Sequence, residues 1–206
     1  MKNTVSSARR FLIPAQSEGL SIDFANTRYW RGTDAPTETL AKLDDVLAWC
    51  RDTAKIPAAM IDGFRALCLQ DEEAVLAGAI ALRELLYRLY LAHAQGEEPD
   101  GKDLAALREY LGDAAPRKAL TRVGGRYEWA VDDRYCSLAG LLSPVLWSAA
   151  DLLGGTRLGK LKRCANDQCK WLFVDDSKSG SRRWCSMSAC GNRAKAHRHY
   201  HGKSSS

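Results

Sequence analysis

Arg163-Cys164-Ala165-Asn166-Asp167-Gln168-Cys169-Lys170-Trp171 and, further on, Arg182-Arg183-Trp184-Cys185-Ser186-Met187-Ser188-Ala189-Cys190-Gly191-Asn192-Arg193 carry four of the chain's seven cysteines. Each pair has four residues between its members, and fifteen residues separate the two pairs. A tetrahedral zinc ion takes four thiolates at about 2.3 Å, and two close pairs joined by a loop can supply them without strain. Two disulfides, or ordinary buried thiols, are the competing readings. An odd number of cysteines in a reducing compartment favours thiols or metal ligands over disulfides. Four thiolates close the coordination shell, so the predicted cofactor is one structural Zn2+ held by Cys164, Cys169, Cys185 and Cys190, with no position left for water or substrate.

The surrounding sequence supports the same reading. Residues 157–206 offer little apolar bulk beyond Trp171, Leu172, Phe173, Val174, Trp184 and Met187. A bound structural zinc contributes on the order of 10 kcal/mol of apparent binding energy, which becomes folding energy. The Asn- and Asp-rich turn between Cys164 and Cys169 suits a metal knuckle. Trp171-Leu172-Phe173-Val174 leaves it as a strand, and Asp175–Gly180 turns the chain back through Arg182-Arg183-Trp184 to complete a hairpin. Ser186 or Ser188 caps a helix expected from about Cys190 to Gly202. Knuckle, hairpin and helix together describe a treble-clef zinc finger.

Working outward, the charge divides unevenly. Of 30 Lys+Arg and 25 Asp+Glu, residues 157–206 hold 12 and 3, leaving 18 and 22 in residues 1–156. An acidic body joined to a basic module points to a polyanionic partner, usually nucleic acid, although a basic tail can also serve solubility alone. At 206 residues, 46% hydrophobic and 27% charged, the composition is that of a globular chain with one domain plus a small module. No apolar run approaches the roughly 20 residues that span a bilayer, and Met1–Arg10 lacks the apolar stretch of an export signal. No membrane partner is expected. The expected location is the cytoplasm, with nucleoid association when DNA is bound.

The body reads as α+β, mostly helical with a few antiparallel strands. Leu20-Ser21-Ile22-Asp23-Phe24 alternates apolar and polar residues and predicts a short strand. Leu40, Leu43, Leu47 and Cys50 form one helical stripe that Pro57 ends, and Ile61, Phe64 and Cys68 continue the spacing. Val75, Ala79, Leu82, Leu86, Leu89 and His93 mark the longest helix, begun by Asp71-Glu72-Glu73 and closed at Gly96. Leu104, Leu107 and Leu111 mark a shorter one. Leu120–Val123, Gly124-Gly125 and Arg126–Trp129 predict a hairpin with Leu120 opposite Trp129. Leu138–Leu152 predicts a last helix split near Pro144. Cys50, Cys68 and Cys136 read as inert buried thiols. Asp23, Asn26 and Arg83 are polar groups in apolar stretches, and either line a small-molecule pocket or serve as buried hydrogen-bond partners. No phosphate loop, nucleophile elbow or His-Glu metalloprotease pattern appears, so an enzyme is not expected.

Arg183-Trp184-Cys185-Ser186-Met187 followed by Cys190-Gly191-Asn192-Arg193-Ala194-Lys195 resembles the CGNR zinc finger, and Leu20-Ser21-Ile22-Asp23-Phe24-Ala25-Asn26-Thr27 resembles the opening motif of the ABATE domain that usually precedes it. The resemblance implies residues 1–156 as an ABATE-like domain sensing an unknown small ligand, and 157–206 as a treble-clef finger binding DNA. Together they imply a bacterial stress-induced transcription regulator. It also implies the four named cysteines as zinc ligands. The chain departs from the family in carrying His197, His199 and His201 where arginine is common, which lowers positive charge at neutral pH.

On the expected final helix, Asn192, Lys195, His199 and Lys203 share a polar, basic face. Asn192 and Arg193 are the candidates for reading bases, since an Asn amide suits adenine and a guanidinium suits guanine. Lys178, Arg182, Arg183, Lys195 and Arg198 suit phosphates. Against these roles, Asn192 has the option of bonding the knuckle backbone or a cysteine sulfur, and Arg193 of pairing with Asp175 or Asp176. Trp184 and Tyr200 read as core residues. Of the three histidines only His197 and His201 share a helix face, too few for a second metal site. An RNA-binding module and a protein-interaction finger are the alternatives to DNA binding.

Overall fold

In the computed structural model, residues 10–68, 71–135 and 137–193 are described, without the side chains of 67 and 68. Helices dominate the body: α1 (Leu20–Ala25), α2 (Leu43–Asp52), α3 (Ala58–Cys68), α4 (Glu72–Gln95), α5 (Gly101–Asp113), α6 (Leu138–Leu141) and α7 (Ser143–Gly154). β1 (Arg10–Pro14), β4 (Ala119–Val123) and β5 (Arg126–Asp132) form an antiparallel sheet in the order β1-β5-β4, and β2 (Arg28–Tyr29) pairs with β3 (Thr37–Glu38).

α4 is the axis of the body. Asp71 caps its start by accepting the Ala74 N–H at 3.0 Å, and Gly96 ends it with φ 72°. The left-handed φ that ends a helix this way suits a residue without Cβ. Leu82, Leu85, Leu86, Leu89 and Tyr90 are buried along α4, against α1, α2 and α5. The β4–β5 hairpin turns at Gly124 (φ 54°) and Gly125 (φ 85°) and sets Leu120 opposite Trp129. Pro144 sits in the first turn of α7, where its missing N–H costs nothing, and this divides α6 from α7.

Two sequence expectations need correction. Leu20–Phe24 is helical and not a strand. The apparent polar position Ser21 is fully buried: its hydroxyl accepts from Tyr90 at 2.7 Å and from Ser148 at 3.1 Å, while its N–H donates to Ser148 Oγ at 2.9 Å. The alternation was therefore not a sign of one wet face, and short apolar runs do not distinguish a strand from a buried helix. The second correction concerns Leu172–Val174 (β7). It pairs with β6 (Leu161–Arg163), which precedes the knuckle, and not with the returning segment around Arg183.

One core serves body and finger. Leu161 and Leu172 belong to the same buried cluster as Phe24, Leu86 and Leu152. A second, small cluster holds Cys164, Cys169, Phe173 and Cys190, flanked by Trp171, Trp184, Cys185 and the body's Trp30.

Candidate metal centre

The β6–β7 hairpin carries the Cys164–Cys169 knuckle at its tip. Its ladder runs from Leu161↔Val174 to Arg163↔Leu172, and the Cys164 N–H extends it to the Trp171 carbonyl at 2.7 Å. Two backbone bonds to the Asn166 carbonyl, from Cys169 at 2.9 Å and Lys170 at 3.1 Å, close the turn, and Lys170 adopts φ 56° to leave it. In the second pair, Cys185 precedes and Cys190 lies within a short turn, Met187–Gly191, whose start is capped by the Ser186 hydroxyl accepting from Ala189. The Ala165 N–H donates to the Arg183 carbonyl at 2.8 Å and ties the two halves together.

The four sulfurs of Cys164, Cys169, Cys185 and Cys190 all lie within 4.8 Å of one another. Cys169 and Cys185 are 3.7 Å apart, and Cys185 and Cys190 are 3.8 Å apart. A tetrahedron with zinc–sulfur arms of about 2.3 Å has edges of about 3.8 Å, so the spacing fits that ion. The donor chemistry fits equally well. Hydrogen bonds from Cys169 and Cys185, with backbone N–H groups of Cys185 and Asn166, favour the thiolate at Cys164. Their bonds to Cys164 in turn push the Cys169 and Cys185 thiols up. A divalent cation replaces those shared protons and lets all four sulfurs ionise. The four cysteines thus form a site for a single structural zinc.

Asn166, unassigned by spacing alone, donates its amide toward Cys190 Sγ at 3.5 Å and accepts the Gln168 N–H at 3.1 Å, so it orients a ligand from outside the coordination shell. Buried Asp175 organises the returning segment. It pairs with Lys162 at 2.6 Å and accepts from Ser177 Oγ at 2.5 Å and the Arg182 N–H at 2.9 Å. The Lys162 and Ser177 contacts hold its carboxyl well below the usual carboxylate range. The Asp–Ser turn was visible in sequence, but its remote partner Lys162 was not.

The remaining candidates are placed as follows. Arg182 is exposed, stacked 4.5 Å over Phe173, with Nε donating to the Trp184 carbonyl at 2.8 Å and Nη2 to the Cys185 carbonyl. Exposed Arg183 lies 5.4 Å over the Trp184 ring. Lys178 is exposed at the tip of the Ser177–Gly180 turn. Asn192 donates to the Ser188 carbonyl at 3.3 Å, and Arg193 stacks 4.3 Å over Trp30 of the body rather than pairing with Asp175. Lys195, Arg198, the histidines 197, 199 and 201, Tyr200 and Lys203 lie outside the described residues, as does Cys136. Cys50 is fully buried, and burial pushes its thiol up to about 12.

Of the three residues considered for a small ligand, two are engaged within the fold. Asp23 is exposed on α1. Asn26 is buried, donating to the Leu172 carbonyl at 2.8 Å and accepting the Leu172 N–H at 3.0 Å. Arg83, 1% exposed, makes a bidentate pair with Glu38 at 2.5 and 2.7 Å and contacts Glu84 at 2.8 Å. Arg31 pairs with Glu84 at 2.7 and 3.1 Å and stacks 3.8 Å over Tyr87, whose hydroxyl donates to the Lys170 carbonyl at 2.8 Å. Burial opposes ionisation of Glu38 and Glu84, but the guanidinium bonds outweigh it and hold both carboxyls below their ordinary range.

Asn26 and Tyr87 are therefore seam residues between body and finger. The same seam includes the Trp171 indole donating to the Arg28 carbonyl at 3.3 Å and the Gly32 N–H donating to the Gln168 carbonyl at 3.0 Å. A Cβ on Gly32 would lie 1.7 Å from the Asp167 carbonyl oxygen, so only glycine admits this approach.

Among the described residues no helix is long and apolar enough to cross a membrane. A search of curated proteins finds no match. Two family models do match. The CGNR zinc finger covers residues 160–203, and the ABATE model, described as "Putative stress-induced transcription regulator", covers residues 18–156. Both are non-catalytic regulatory or zinc-finger families. With more than half of its length inside the ABATE model and the four-sulfur cluster inside the CGNR model, the chain belongs to the ABATE family of regulators and ends in a CGNR zinc finger.

Proposed function

We propose that the protein is a zinc-dependent transcription regulator that holds duplex DNA through its C-terminal finger. The observation that carries this reading is the excess of cationic groups on a segment braced by a four-cysteine cluster: residues 157–206 hold 12 Lys+Arg against 3 Asp+Glu. Lys178, Arg182 and Arg183 are exposed on that scaffold, and Asn192 and Arg193 are exposed just after the Met187–Gly191 turn. Lys195 and Arg198 extend the same set in sequence. Zinc acts structurally, fixing the knuckle and the returning segment so that the cations meet a phosphate backbone without a further ordering cost. The sensing role of the body rests on the resemblance of its opening motif alone, and Asn26 and Arg83 make bonds within the fold.

The test is a gel-shift titration of the zinc-loaded chain against duplex DNA and structured RNA at low salt, with and without a chelator. The reading expects duplex binding that falls steeply with added salt and disappears with the metal. A preference for RNA, or no binding to either polymer, would overturn it.

A further inference from the structure

Where the finger's returning segment faces the end of α4, an open cleft of about 430 Å³ is lined by Lys162, Arg163, Arg182 and Arg183, with Ala94 and Gln95 on the body side. Cys164, Ala165 and Ser181 complete the lining, which holds four cations and no carboxylate. One-signed lining in a concave surface focuses positive potential. A neighbouring cleft at Trp30, Thr33, Asp34, Ala35, Gln168 and Arg193 has one cation and one carboxylate, and so no comparable field.

The four cations differ in what they are free to do. Lys162 is engaged by Asp175 at 2.6 Å and by the Gly180 carbonyl. Arg182 has two donors turned onto the Trp184 and Cys185 carbonyls. These two brace the wall. Among the described residues the one ion pair of Arg163 is with Asp167, at 3.5 Å, and that carboxylate is 86% exposed, so the pair is weak and readily exchanged for another anion. Arg183 stacks on Trp184 and has no hydrogen-bonded acceptor in the described residues, leaving its N–H groups available. Backbone bonds hold both in place: Arg163 lies in the β6–β7 ladder, and the Arg183 carbonyl accepts from Ala165 across the cleft.

The geometry points to this cleft, between finger and body, as the track for a DNA backbone phosphodiester, with Arg163 and Arg183 as its two contacting cations and Arg182 and Lys162 as positioning residues. The inference rests on the DNA-binding reading and deepens it by adding Arg163, which sequence spacing did not single out, and by giving the body a wall of the binding surface.

The experiment is a fluorescence-anisotropy titration of zinc-loaded full-length protein with a mixed-sequence labelled duplex over a salt series. Arg163→Gln and Arg183→Gln should each lower low-salt affinity severalfold and reduce the slope of log K against log salt by about one. Arg163→Lys and Arg183→Lys should keep the slope, because counterion release counts charge. Arg126→Gln, at the remote β4–β5 turn, should match the parent chain. Metal content and thermal unfolding, recorded for every variant, identify any that misfold, and the Lys variants then decide. Parent-like slopes in both Gln variants, with duplex binding intact, overturn the cleft alone. No duplex binding by the parent chain overturns both the cleft and the function proposed above.

Discussion

Asn26→Ala removes the side chain that bonds both backbone groups of Leu172, at 2.8 and 3.0 Å, in a place where Asn26 is 8% exposed and Leu172 1%. The substitution leaves a buried N–H and a buried carbonyl without partners, each costing about 1–3 kcal/mol. The combined loss is about 2–6 kcal/mol, a large share of a typical domain's 5–15 kcal/mol. Because Leu172 lies in the strand leaving the knuckle, part of the loss falls on the metal site. If only about 2 kcal/mol does so, zinc affinity drops roughly thirtyfold. Competition with a chromophoric chelator reads that affinity, and urea unfolding reads the total. Asn26→Asp serves as the companion: it keeps an acceptor for the Leu172 N–H but sets a carboxylate against the Leu172 carbonyl, and should be at least as damaging. Body destabilisation with zinc affinity unchanged in both variants would refute the claim that the seam couples the two parts.

Two further outcomes follow from the same contacts. Gly32→Ala brings a Cβ to 1.7 Å from the Asp167 carbonyl, so the loop must withdraw from the knuckle; thermal unfolding should show more than about 2 kcal/mol of destabilisation, and faster zinc release should accompany it. Glu38 and Glu84 have folded pKa values held below their ordinary 4.5, so their contribution is present above that value and is lost as pH falls through the lowered one. Urea midpoints measured across the acid range should therefore decline less steeply in the Glu38→Gln, Glu84→Gln double variant than in the parent. An unchanged decline would locate the acid sensitivity elsewhere.

How much of this was legible in sequence depended on how local the cause was. The four cysteines, the α4 caps at Asp71 and Gly96 and the Leu120–Trp129 register each follow from residues a few positions apart. The alternation at Leu20–Phe24 misled because Ser21 finds its partners on α4 and α7, far along the chain. Arg83 stands among the apolar positions of α4 and is buried there by Glu38, forty-five residues away. β7 chose β6 because the knuckle closes a hairpin of its own, and β6 is only three residues long, too short to announce itself by periodicity. Trp30 against Arg193 and Gly32 against Gln168 are likewise products of tertiary approach. Half of the candidate site, the metal ligands, was written in spacing; the cleft was not, because its walls come from separate stretches.

The seam also decides how a signal can travel. The small cysteine cluster includes Phe173 but little other fully buried apolar bulk, while Leu161 and Leu172 lie in the body's core. Zinc alone therefore does not finish the finger: β7 needs Asn26 on its backbone, Tyr87 at Lys170 and Arg28 at Trp171. Those three partners sit at the C-terminal end of α1, on α4 and on β2, which are tied to one another by Arg31, bonding the Ala25 carbonyl at 2.9 Å and Glu84 at 2.7 Å, and by Arg28, 3.9 Å from Glu84. Any event that shifts α1 against α4 must then break the Leu172 bonds or carry β7 with it, and the cleft wall at Arg163 moves with β7 through the ladder. Coupling of this kind is reciprocal, so whatever occupies the cleft and favours its present wall also favours the arrangement of α1 and α4 that holds that wall in place.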